Sequence, residues 1–128
     1  MHSKKAVALW MLTAVLMLVA HIPARAGERI ATVKGYLLDS ACAFTKNLKK
    51  PISADCAVTC DKAGSPIVLL ADDGRIYLPV SEAPPAAGQN ERLMEYTGKR
   101  VSVSGKVYEK VGSRAMVLAK VEAAPEAK

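Results

Sequence analysis

Three cysteines, Cys42, Cys56 and Cys60, are the residues of this 128-residue chain whose type and spacing could do chemistry. Cys56 and Cys60 stand four apart, so on a helix their sulfurs share one face. With Cys42 arriving from the preceding loop, three soft donors could form a thiolate pocket suited to Cu(I) or Zn(II), with Asp39, Asp55 or Asp61 as a hard fourth ligand. The same residues also read as a staple: a bridge from Cys42 to Cys60 or to Cys56 would stabilise a small domain by about 3 kcal/mol. A bridge between Cys56 and Cys60 is disfavoured, because the helix fixes where their Cβ atoms point. Three is an odd number, which leaves one sulfur for a free thiol, a metal or another chain. A third reading makes Cys56, in the first turn after Ser53, a redox-responsive thiol favoured by the helix dipole and by Lys46, Lys49 and Lys50; its bland counterpart is an inert cysteine. The frame is neither Cys-x-x-Cys nor Cys-x-x-Cys-His, so thioredoxin-like exchange and c-type haem attachment lose support.

The compartment bears on all of these readings. Lys4 and Lys5 precede an apolar stretch over residues 6–20, followed by Pro23 and Ala24-Arg25-Ala26 ahead of Gly27. That is the order of a secretory signal with a small-residue cleavage site, predicting a periplasmic or secreted product that keeps no stable membrane anchor. With residues 1–26 removed the net charge falls from +6 to +3, because Lys4, Lys5 and Arg25 lie there and no acid does. Both histidines, His2 and His21, and the single Trp10 lie there too. The remaining chain has no imidazole, which excludes Ser-His and Cys-His nucleophile pairs and any histidine-containing metal site. No acid pair points to hydrolysis or group transfer, so catalytic residues are not expected.

Around the cysteines the chain reads as mainly β. Residues 29–38 alternate as a strand, with Gly35 marking a bend or bulge. A long insert over residues 39–65 holds every cysteine and contains a short helix from Ala54 to Lys62, capped by Ser53 and stopped at Gly64. Residues 67–70 and 75–78 flank Asp72-Asp73-Gly74, a hairpin signal. Asn90 opens a helix running to Tyr96, and Gly98 closes it. Residues 100–108 alternate with Val101, Val103, Gly105 and Val107 on the buried face, and residues 115–121 form the last strand. The domain spans residues 27–122, and residues 123–128 read as a disordered tail. Five strands with one short helix between the third and fourth is the arrangement of a small OB-like barrel, with the cysteine insert following its first strand.

In Gly35-x-x-x-Asp39-Ser40-x-Cys42, Cys56-x-x-x-Cys60-x-Lys62-x-Gly64, the segment from Gly74 to Leu78 through Tyr77, and Gly98-Lys99-Arg100-Val101-x-Val103-x-Gly105-x-Val107, the chain resembles small secreted bacterial OB-fold-like domains, mostly without assigned function. The cysteine frame is the distinctive part. Such domains often place a Gly and then a His soon after the first cysteine, where this chain has Ala43-Phe44-Thr45-Lys46. The resemblance implies the fold and the compartment, and no activity. The expectation is therefore a non-enzymatic binding module that holds a soft metal ion through Cys42, Cys56 and Cys60. The alternatives are a thiol-dependent redox protein and a disulfide-stapled domain recognising an envelope protein or polysaccharide. In this fold the loop after strand one borders the ligand face, which makes Asp39, Lys46, Lys49, Lys50 and Tyr77 ligand-face candidates. Nucleic acid is not expected as a partner, since strands two and three offer only Tyr77 as a stacking platform.

Overall fold

The computed structural model describes residues 27–46 and 50–127; the expected signal at residues 1–26 and Lys49 lie outside the described residues. Its strands are β1 (Arg29–Asp39), β2 (Ile67–Ala71), β3 (Ile76–Pro79), β4 (Arg100–Lys110) and β5 (Ser113–Ala123). They form one closed barrel in the order β1-β2-β3-β5-β4, with β4 returning to β1. Every pairing is antiparallel except the short parallel contact of β3 with β5. This is the OB-like barrel that the strand count predicts. Its interior is filled by alternate residues: Val101, Val103 and Val107 of β4 meet Leu37, Leu69, Met116 and Leu93, all fully buried. Each side chain of this size stabilises the fold by about 1.5–3 kcal/mol relative to exposure.

Two glycines let so few strands curl shut. Gly35 pairs with Ala71 on one side and Val101 on the other, and a Cβ there would lie 2.1 Å from the Leu70 carbonyl oxygen. At Gly105 the β4–β5 register shifts, and a Cβ would lie 2.0 Å from the Val117 carbonyl oxygen. Glycine is the residue that permits such close backbone approach.

The second half of β1 and all of β2 do not alternate; they are buried continuously. The cause is a helix not expected from the sequence, α1 (Ser40–Thr45). It lies on the outer wall, where Ala43 and Cys42 join Tyr36, Leu38, Val68, Leu70 and Ile76 in a second apolar cluster. A six-residue helix shows too little periodicity to be read, and Asp39-Ser40 looked only like the end of a strand. Asp39 is in fact the N-cap of α1, its carboxylate accepting from the Cys42 amide at 2.8 Å. The helix α2 (Ala54–Lys62) is the one expected, with Ser53 capping the Cys56 amide at 3.0 Å.

At the β3–β4 connection, α3 (Gln89–Leu93) continues into a 3-10 turn (Met94–Tyr96), and Leu93 plugs the barrel. Gly88, at φ 74°, is the residue before its first turn; Asn90, expected to open the helix, lies within it and turns its side chain to another use. Because β1, β3 and β5 run one way and β2 and β4 the other, the cysteine insert and α3 share one end of the barrel. The hairpin at Gly74 and the β4–β5 turn lie at the opposite end. The chain beyond β5, read from sequence as a tail without order, returns along the wall. There the Ala124 amide donates to the Arg100 carbonyl at 2.9 Å, and Tyr36 donates its hydroxyl proton to Glu126.

Candidate functional site

The insert is anchored without covalent help. Its two ends meet where the Ser40 amide donates to the Pro66 carbonyl at 2.9 Å. Asn90 reaches across from α3: its Oδ1 accepts from the Ile67 amide at 3.1 Å, and its Nδ2 donates to the carbonyls of Ser65 at 2.6 Å and Asp61 at 3.4 Å. The start of α2 rests on Gly98, where a Cβ would stand 2.6 Å from the Ala54 Cα. Gly98 has φ 78° as well, so both the contact and the backbone favour glycine there.

All three cysteines are free thiols, Cys42 and Cys60 half-buried and Cys56 exposed. The disulfide expected as one reading is not formed, and these polar and steric anchors hold the insert in its place. The sulfurs nevertheless influence one another. Cys60 lies one turn after Cys56 on α2, and Asp39, at the cap of α1, acts electrostatically on both Cys42 and Cys60. Burial, the Asp39 carboxylate and the two other sulfurs push the Cys42 thiol up to about 11. Cys60 is raised by burial, Asp39 and Cys56. At neutral pH both therefore hold their protons.

The same helix α2 carries a second buried carboxylate. Asp61 is 3 % exposed, and neither of its oxygens has a hydrogen-bond partner. Burial drives its carboxyl upward, and Asp39, itself 2 % exposed, adds to the rise. Thr97 directs its hydroxyl to the Leu93 carbonyl at 3.3 Å. The charged neighbours that act most strongly on Cys42, Cys60 and Asp61 are all acids. Such surroundings favour the protonated forms of Cys42, Cys60 and Asp61. Among the described residues no group of three or more His, Cys, Asp or Glu side chains is already assembled to hold a metal ion.

The other expected residues scatter. Asp55 is exposed in the first turn of α2, where its charge complements the helix dipole. Lys46 and Lys50 are exposed on the connection between α1 and α2, and Lys49 falls outside the described residues. Tyr77, expected on a ligand face, is corrected: it is 2 % exposed and belongs to the barrel interior. The pleat of β3 turns Tyr77 inward and presents Leu78, 47 % exposed, outward.

Several residues went unseen in the sequence. Asn90 works through contacts far along the chain, and Thr97 bonds locally to Leu93 but is placed by its bridge to Leu37, although an Asn near a helix start is a recognisable polar signal. Phe44, Arg75 and Arg114 border a groove on the outer wall and are brought together by three separate elements. No helix among the described residues is long and apolar enough to cross a membrane. The sequence matches no family model, and no curated protein or solved structure was found to be similar to it.

Proposed function

We propose that this protein is an exported, non-enzymatic module that takes up a soft cation, Cu(I) or Zn(II), at the helix-capped end of its barrel. Cys42, Cys56 and Cys60 supply the sulfurs and Asp39 the oxygen. The observation that carries this reading is that Cys42 and Cys60, both half-buried, each have the buried Asp39 carboxylate and the Cys56 sulfur among the charged neighbours that raise their thiols. A thiophilic cation replaces the protons that Cys42 and Cys60 retain, and it reverses the mutual repulsion that keeps those protons bound. The side chains interact without enclosing a point, so uptake draws them inward as protons leave.

The composition of the donor set suits a soft or borderline ion, since sulfur donors favour Cu(I) and Zn(II) over Mg(II) or Ca(II). The absence of histidine from residues 27–128 makes thiolate chemistry the natural route. The likeness to small secreted bacterial domains and the signal pattern at residues 1–26 support a site outside the cytoplasm, where the free thiols would need a reductant or a bound ion to escape oxidation.

Titration of the reduced protein with Cu(I) or Zn(II), followed by calorimetry and a pH-stat, tests the reading. A stoichiometric complex that releases protons and weakens as pH falls is expected. The variants Cys42→Ser and Cys60→Ser should each lower affinity by about tenfold or more. Failure of both ions to bind, or binding unchanged in the triple Cys→Ser variant, overturns it.

A further inference from the structure

We propose that the groove on the outer wall, between α1 and the splayed starts of β3 and β5, receives the C-terminal end of an extended peptide. Its last apolar side chain would enter the groove, and its carboxylate would meet Arg75 and Arg114. This site is separate from the thiol cluster and does not depend on it.

The groove continues the second apolar cluster. Where α1 stops covering the outer wall, Val68, Ile76 and Leu78 remain as its floor, and Phe44 forms one bank. Phe44 is 69 % exposed and Leu78 47 %, so both present apolar surface to the groove. The cavity measures about 430 Å³, within the range of ligand sites.

The far bank supplies charge and backbone. The parallel β3–β5 pairing covers only Leu78 with Ala115 and Pro79 with Met116. Carried back in the same register, Ile76 would face Ser113, yet the strands have separated there and both residues line the groove. Separated strands present main-chain edges that an extended segment can use. Arg75 and Arg114 flank this opening. Among the described residues Arg75 pairs with Asp73, which also lines the groove, at 3.3 Å, and Arg114 pairs with Glu109 at 3.3 Å, both acids partly exposed. Pairs of that kind are weak, so either guanidinium can turn to an incoming carboxylate. The aliphatic floor suits an apolar side chain better than a sugar ring, which favours aromatic platforms.

The test uses the full-length protein and a pool of fluorescein-labelled hexapeptides ending in leucine, isoleucine or phenylalanine, the other positions randomised. Anisotropy should show saturable binding that weakens by about tenfold or more when the peptides are C-terminally amidated. Arg114→Gln and Phe44→Ser should each weaken it while leaving the circular dichroism and thermal melt unchanged. In the bound state the amide signals of Ile76, Leu78 and Ser113 should shift. No binding by the pool, or equal binding of the amidated pool, overturns the proposal. So does octanoate binding as tightly as the free-acid pool, which would reassign the groove to small apolar acids.

Discussion

The barrel wall and the helix-capped end of this molecule are built on opposite terms. From Val101 to Val107 of β4, every second residue is apolar and buried, and the interior cluster among the described residues is made of apolar side chains and Tyr77. At the capped end, two carboxylates and two half-buried thiols are packed under short helices, and one carboxylate has no partner at all. The wall obeys the ordinary preference for burying apolar surface, whereas the capped end works against it. Conflicts of this kind between local chemistry and stability mark places retained for something other than folding.

The comparison breaks first if the wall can be altered freely. Gly105→Ala places a methyl 2.0 Å from the Val117 carbonyl oxygen, a backbone atom that cannot yield without opening the β4–β5 ladder. A loss of about 3 kcal/mol or more in urea unfolding is expected, and a smaller loss would mean that the barrel is looser than its packing implies.

A smaller effect should separate the two regions. Asn90→Ala removes an acceptor from the Ile67 amide and a donor to two carbonyls, for a loss of about 2 kcal/mol. Hydrogen exchange should then accelerate over α2 while the protected amides of β4 change little. Uniform acceleration would show the insert and the wall to be one cooperative unit.

The smallest change has the opposite sign. Asp61 has a folded value above its unfolded one, so the folded state binds its proton more tightly. Its contribution is fully present below the ordinary carboxylate range and is lost as pH rises through the raised value. Asp61→Asn should therefore stabilise the protein at neutral pH by about 1 kcal/mol, or about 4 °C or more in melting temperature, and do little in acid. A variant no more stable at pH 7 than its parent would mean that the buried carboxylate is better solvated than its surroundings indicate. Cys42 follows the same rule at higher pH: its contribution persists below the ordinary thiol value and fades toward about 11.

The wall was legible in the sequence because two-residue periodicity is a local signal. Alternation in residues 29–35 and 100–108, the turn at Gly74 and the cap at Ser53 each depend on near neighbours. What escaped notice depends on distant ones. Six residues from Ser40 to Thr45 become helical because an apolar outer wall is present to receive Ala43, and that wall comes from β1 and β2. Tyr77 turns inward because of the parity of β3, which a four-residue strand cannot reveal by pattern. The spacing of the cysteines suggested a shared site. It did not indicate that Asp39 would act on Cys42 and Cys60 from a helix cap, or that Asp61 would lie buried and unpaired. The groove beside Phe44 joins residues from α1, β3 and β5 and has no sequence signature.

The two ends of the cysteine segment leave the barrel side by side, at the last β1–β2 pair, Asp39 with Ile67, and close on each other through one amide and one carbonyl. A module mounted in this way is detachable. Replacing it with a tight turn would keep the β1–β2 pairing but uncover the outer-wall cluster that Ala43 and Cys42 now close.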